Sequence, residues 1–315
     1  MGRKRLQTGQ KILLIVGPTA VGKTNLSIEL AKKFNAEIIS GDSMQVYRKL
    51  DVGTAKITPS EMRGIKHYLI DECNIDERFS VALFIEKCRK AIKEIQAQGK
   101  LPLIVGGTGF YLQALLDNFS LGNDKYDSQE VIRNKWHAFA KEKGQQALWE
   151  ELAKTDLLAA QKIPVTNERR VVRALEVIEK TGRLFSQQAD QASLEFDPFL
   201  IGLTTQRDVL YERINRRVDL MLTQGLLEEV KYLYAHGGSD LPSGKGIGYK
   251  EFYPYLQGLK TLEECSVEAK KNSRHYAKRQ LTWFRNKMNV NWYDLVLHPE
   301  ELTQVINDVE IWLEH

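Results

Sequence analysis

Residues Leu13 to Leu30 read LLIVGPTAVGKTNLSIEL: an apolar run, a glycine-rich turn, then apolar residues at helical spacing. The run from Lys11 to Val16 predicts a short buried strand, and Leu26, Leu30 and Phe34 predict a helix over Asn25 to Phe34. Between them, Gly17-Pro18-Thr19-Ala20-Val21-Gly22-Lys23-Thr24 fits GxxxxGK[ST] in the strand-to-helix setting that a phosphate loop requires. The glycines let backbone N–H groups converge on phosphate oxygens, and the helix N-terminus adds positive potential. Lys23 supplies a charge, and Thr24 can hold Mg²⁺.

Outward from the loop, strands and helices alternate. Ala36 to Ser40 is a second strand candidate ending at Gly41-Asp42-Ser43, and Val81 to Gln98 is amphipathic with Gly99 as its stop. LPLIVGGTG then reads as a buried strand entering another glycine turn. This alternation predicts an α/β core with a parallel sheet covered on both faces, whose ligands bind at the carboxyl ends of the strands. From about Asn118 to Phe199 strand signals fade, and Arg133 to Lys143, Gln146 to Lys154 and Glu168 to Thr181 predict helices. PFLIGL at Pro198 resumes the sheet, followed by one helix from Asp208 to Tyr234. The expected division is a core of residues 1–117 and 199–315 with a helical insertion over 118–198.

Composition narrows the class. The 315 residues are 43% hydrophobic and 27% charged, as in an ordinary soluble globular protein, and no apolar run reaches the length of a bilayer span. The basic N-terminus lacks the apolar stretch of a signal peptide, so a cytoplasmic location without membrane attachment is expected. Three cysteines with no CxxC pair and six scattered histidines suggest neither a disulfide framework nor a zinc centre.

Several residues invite chemistry. An ATP-hydrolysing phosphate loop works with an apolar strand ending in Asp, but the strand at Leu103 to Val105 ends in Gly106-Gly107-Thr108-Gly109. The nearest acid at a strand end is Asp42, readable as a metal partner, as a general base, or as a cap of the turn that follows it. Arg207, just ahead of a helix, is expected to face the phosphate loop as a second anion clamp. Net charge is only +4, yet Lys270 to Lys287 holds seven basic residues and no acid. Within it Lys270, Arg274 and Lys278 share one helical face, interleaved with Tyr276, Trp283 and Phe284, a pattern suited to an RNA backbone and its bases or to a solvated basic face over a core. Arg169, Arg170 and Arg173 form a second basic cluster. Gly244 to Lys250, with Lys245, Gly246, Gly248, Tyr249 and Lys250, is either a nucleic-acid contact or a loop joining helices.

Taken in order, GPTAVGKT, SGDSMQVYRKLDVGTAK, KHYLID, GGTGFY, RRVVRALEV, IGL with Arg207 and YERINRRVDLM, GIGYKE and YAKRQLTWFR resemble the tRNA dimethylallyltransferases over nearly the whole chain. Phe110 stands where aliphatic residues are common in that family. The resemblance implies a nucleotide-kinase-like core and an insertion that contacts the anticodon stem. It also implies transfer of a dimethylallyl group from dimethylallyl pyrophosphate to N6 of adenosine-37 in tRNAs reading codons that start with U. The loop would then hold pyrophosphate as leaving group, with Lys23, Arg207 and a Mg²⁺ on Thr24, and Asp42 as base. Implied tRNA contacts are Asp42, Ser43, Met44, Gln45, Thr108, the Arg169 to Arg173 cluster and the Lys245 to Lys250 loop, with Arg133, Arg274 and Lys278 added, in a monomer. A phosphate-loop kinase, a prenyltransferase of free adenine nucleotides and a non-catalytic RNA-binding protein are the competing classes.

Overall fold

The structure is a computed structural model and describes residues 9–117, 129–187 and 195–315. The expected start of the insertion at residue 118 lies outside the described residues. The chain forms two compact units, one of residues 1–116 with 194–315 and the other of residues 117–193.

The first unit opens with β1 (Gln10–Val16), α1 (Lys23–Lys33), β2 (Ala36–Ser40), α2 (Pro59–Met62), β3 (His67–Tyr68), α3 (Val81–Ala97), β4 (Leu101–Gly106) and α4 (Gly109–Leu116). The second unit is helical among its described residues, with α5 (Gln129–Thr155), α6 (Leu157–Lys162) and α7 (Glu168–Thr181). The first unit then resumes with β5 (Phe196–Leu203), α8 (Arg207–Thr223), α9 (Leu226–Ala235), α10 (Tyr253–Leu256), α11 (Leu262–Lys287), β6 (Asn291–Tyr293) and α12 (Glu301–Glu314).

All six strands join one parallel sheet in the order β3-β2-β4-β1-β5-β6. Ile12 through Val16 are wholly buried, as a central strand covered on both faces must be. Leu13 and Ile15 share a core cluster with Leu26 and Leu30 of α1, Ile201 and Leu203 of β5, and Val305 and Val309 of α12. Because β2, β4, β1 and β5 are consecutive in the sheet, the segments that follow them emerge side by side at one edge. Those segments carry Asp42, the Gly106–Gly109 turn, the phosphate loop and helix α8. Backbone bonds tie two of them together: Gly41 N donates to Val105 O at 2.8 Å, and Thr108 N to Gly41 O at 3.4 Å.

Several elements differ from expectation or add to it. The single helix expected from Asp208 to Tyr234 is two helices, because Gly225 takes φ 107°, a left-handed conformation that breaks α8 from α9. Strands β3 and β6, with two and three residues, are too short for a periodicity to reveal. The basic segment from Lys270 forms the later two-thirds of α11, whose start is fixed by a capping box between Thr261 and Glu264.

In the helical unit Gly144, at φ 88°, separates the two stretches joined in α5. Leu148, Leu152, Ala160, Val171, Val172 and Leu175 form its core. Asn167 caps α7 by accepting from Arg170 N, and Gly182 ends it in the left-handed conformation.

Candidate active site

The phosphate loop, the Asp42 turn and the Lys245–Gly248 loop line one cavity of about 940 Å³ in the first unit. Gly17 and Gly22 have φ of 138° and 105°, which gives the loop its turn, and a Cβ on Gly17 would strike the carbonyl of Leu203. Lys23 Nζ donates to Gly17 O at 3.0 Å and to Pro18 O at 2.6 Å, so its ammonium folds back over the loop. Thr24 is exposed on the first turn of α1, and its hydroxyl makes no hydrogen bond among the described residues.

Asp42 satisfies two of its sequence readings at once. Its Oδ1 accepts from Met44 N at 2.8 Å and Gln45 N at 3.4 Å, which is the turn cap. Its Oδ2 has no hydrogen-bond partner among the described residues, so one carboxylate oxygen of a rigidly held side chain is left to the cavity. Ser43 N donates to Thr108 Oγ1 at 3.2 Å, which ties the Asp42 turn to the glycine turn. Gln45 is spent internally: its Oε1 accepts from Ser40 and its Nε2 donates to Thr54 O and Ala55 O.

Four cavity residues were not anticipated in these roles. Arg213 donates from Nε to Ala20 O at 2.8 Å, and Arg217 lines the cavity one helical turn further along α8. Burial and the Arg217 charge push the Lys23 ammonium down to about 7, against the opposing pull of Asp42. Burial also lowers Arg217, while Asp42 raises it. The lining sets Lys23, Lys56, Arg213, Arg217 and Lys245 against the carboxylates of Asp42, Asp51 and Glu61, which leaves an excess of basic side chains for an anion. Tyr276 also lines the cavity, its phenol pushed up to about 12 by burial first and the Asp42 charge second. Gln280 joins the two glycine turns, accepting from Thr19 N at 3.1 Å and donating to Gly107 O at 2.9 Å. The signal for the arginines was the i, i+4 spacing of Arg213 and Arg217 beside the apolar face of α8.

Arg207 does not reach this cavity; it lines a separate one with Lys278 and Arg285. It starts α8, about 15 Å along the axis from Arg217 and turned away from it by roughly a quarter turn. A strand at PFLIGL therefore does not aim Arg207 at the phosphate loop.

Among the expected RNA contacts, Lys245, Gly246 and Gly248 line the main cavity and Lys250 is exposed. Tyr249 is buried, donating to Glu229 Oε2 at 2.8 Å and filling the space above Gly53, so it offers no ring to a base. Arg274 donates to Asn215 Oδ1 at 2.6 Å, and Lys270 pairs with Asp219 at 2.6 Å. Phe284 is fully buried, and Trp283 packs on Gly109 and, edge to face, on Phe110. The aromatic half of the basic pattern is thus mostly core. In the helical unit Arg133 and Arg173 pair with the wholly buried Glu176 at 3.0 and 3.2 Å, whereas Arg169 and Arg170 are exposed. The expected RNA-contacting cations of that unit therefore split into two that organise the fold and two that face outward.

A phosphate loop on a parallel sheet, two arginines from the helix after β5 and no carboxylate at the end of β4 define a protein that binds a phosphorylated substrate at the sheet's carboxyl edge. A family model described as IPP transferase matches residues 45–287. The chain is 62% identical over 305 residues to a tRNA dimethylallyltransferase of Ligilactobacillus salivarius, covering 96% of this chain and 99% of that one. It is 56% identical over 306 residues to a tRNA dimethylallyltransferase of Limosilactobacillus reuteri, covering 96% and 99%. The crystal structure of the full-length tRNA isopentenylpyrophosphate transferase from Bacillus halodurans matches with a TM-score of 0.73 at 50% identity, covering 97% of each chain. A eukaryotic dimethylallyltransferase captured acting on tRNA matches with a TM-score of 0.80 at 33% identity, covering 95% of this chain and 78% of that one. The chain belongs to the IPP transferase family.

Proposed function

We propose that this chain is a tRNA dimethylallyltransferase, moving a dimethylallyl group from dimethylallyl pyrophosphate to N6 of adenosine-37, beside the anticodon, in tRNAs reading codons that start with U. The observation that carries the reading is the single cavity in which the phosphate loop and Arg217 share a wall with Asp42, whose Oδ2 is unengaged.

Adenine N6 is a weak nucleophile because its lone pair is delocalised into the ring. As that pair bonds to the allylic carbon, the carbon–oxygen pair leaves with pyrophosphate, and Asp42 Oδ2 accepts the N6 proton. Negative charge then grows on the leaving group, where the loop amides, Lys23 and Arg217 stabilise it. The free Thr24 hydroxyl suits a hard cation, and a Mg²⁺ held there would neutralise part of the pyrophosphate charge. Withdrawing the adenosine from the anticodon-loop stack costs a few kcal/mol. The exposed Arg169 and Arg170 and the Lys245–Lys250 loop are assigned to the tRNA backbone. We assign the enzyme to the cytoplasm with its tRNA substrate, acting as a monomer.

Asp42→Asn tests the assignment. It should keep tRNA affinity within about twofold and lower the single-turnover rate about 10²–10⁴-fold. A single-turnover rate equal to that of the native enzyme would remove Asp42 from the role of base.

A further inference from the structure

Glu229 lies on α9 and is not part of the cavity lining, yet its carboxylate holds one of the cavity's walls. Its Oε1 accepts from Asp51 N at 2.8 Å and Val52 N at 2.7 Å, and its Oε2 from Gly53 N at 3.0 Å and the Tyr249 hydroxyl at 2.8 Å. Three successive amides aimed at one point repel each other unless an anion answers them, and bonds to an ionised acceptor are the strong ones. Burial first, and then the Glu229 charge, pushes the Tyr249 phenol far above its ordinary range, so it remains an O–H donor. The fit is close. A Cβ on Gly53 would lie 2.5 Å from Tyr249 Cζ and 2.8 Å from Leu226 Cδ1.

The turn held in this way faces the chemistry, since Asp51 to Ile57 all line the main cavity. Ala55 N donates to Val52 O at 3.0 Å and Lys56 N to Asp51 O at 2.9 Å, which closes the turn into a single unit. Its Thr54 and Ala55 carbonyls accept from Gln45 Nε2 at 3.3 and 3.4 Å. The Gln45 backbone amide in turn donates to Asp42 Oδ1 at 3.4 Å. A path of hydrogen bonds therefore runs from α9 to the carboxylate whose other oxygen is open to the cavity.

We infer that Glu229 is a positioning residue for the alkyl transfer, fixing the direction of Asp42 Oδ2 through the Asp51–Gly53 turn and Gln45. The inference rests on the prenyl-transfer reading and on Asp42 as its base. A misplacement of about 1 Å at a reacting group can cost about 10²-fold in rate, the scale on which a loosened turn acts. Glu229→Gln removes the charge at nearly constant shape. One of its two terminal atoms then carries hydrogens and cannot accept from a backbone amide, so at least one amide of the turn loses its partner.

Single-turnover transfer from dimethylallyl pyrophosphate to saturating unmodified tRNA tests this in the native chain, Glu229→Gln, Asp42→Asn and the double variant. Glu229→Gln should bind dimethylallyl pyrophosphate within about twofold of native, which also shows that it is folded, and should transfer about 10–10²-fold more slowly. Because Glu229 acts through Asp42, the double variant should be within about twofold of Asp42→Asn alone, whereas a general loosening of the fold would multiply the two losses. A native rate in Glu229→Gln, or losses that multiply, would overturn the inference. Should Glu229→Gln fail to bind dimethylallyl pyrophosphate, Tyr249→Phe carries the test, because it leaves the three amide bonds in place. It should slow transfer about threefold alone and not at all beside Asp42→Asn, and any other pattern overturns the inference. The two failures are distinguishable. No transfer to tRNA by the native chain removes the prenyl-transfer reading and this inference with it, while native transfer with multiplying losses removes the role of Glu229 alone.

Discussion

Lys23 carries a testable consequence of its surroundings. Its ammonium is pushed down to about 7 from a free value near 10.4, by burial first and then by Arg217. At pH 8 the amine is mostly neutral, and an arriving pyrophosphate restores its charge. Calorimetry at pH 8 in buffers of different ionisation enthalpy should show uptake approaching one proton per dimethylallyl pyrophosphate bound, lost in Lys23→Met. The sign for stability follows from the same shift. Between about pH 7 and 10.4 the unfolded chain binds more protons at this side chain than the folded one, so its contribution to stability rises with pH across that window. Lys23→Met should flatten that rise in urea unfolding. Arg217→Ala should lower kcat/KM for dimethylallyl pyrophosphate about 10²–10³-fold, since it removes a cation aimed at the leaving group.

At the scale of elements, Gly225 separates α8 from α9 in a conformation that an L side chain adopts only under strain. Gly225→Ala should therefore cost about 1–2 kcal/mol in urea unfolding, whereas a continuous helix would gain stability from the same change. That break was hard to read because leucines and a valine continue the apolar pattern past it. The strands β1, β2, β4 and β5 were legible because a central parallel strand is a run of apolar residues bounded by turn residues. The position of the site at their carboxyl ends is therefore legible in the sequence. Arg217 and Gln280 could not, because they enter the cavity from helices whose rotation depends on packing against the sheet. Arg207 shows the converse error: adjacency to the right strand says nothing of which way a first-turn side chain points. Tyr249 and Phe284 look in sequence like partners for bases, yet burial makes them core.

Across the whole molecule, the cations of the helical unit divide by partner. Arg133 is held by Glu176, so Arg133→Ala should cost about 1–2 kcal/mol of stability, as the buried carboxylate keeps only Arg173. Arg169 and Arg170 are exposed, so replacing both with Ala should leave stability nearly unchanged while lowering the salt dependence of tRNA binding by a slope of about two. The central claim is that the phosphate loop holds a leaving group while an RNA base attacks. It is tested most directly by supplying the enzyme and Mg²⁺ with radiolabelled dimethylallyl pyrophosphate and offering unmodified tRNA, AMP and ATP as parallel acceptors. Label should appear in tRNA alone, and vanish when the adenosine 3′ of the anticodon is replaced. Label in AMP or ATP, or in tRNA lacking that adenosine, would contradict the account.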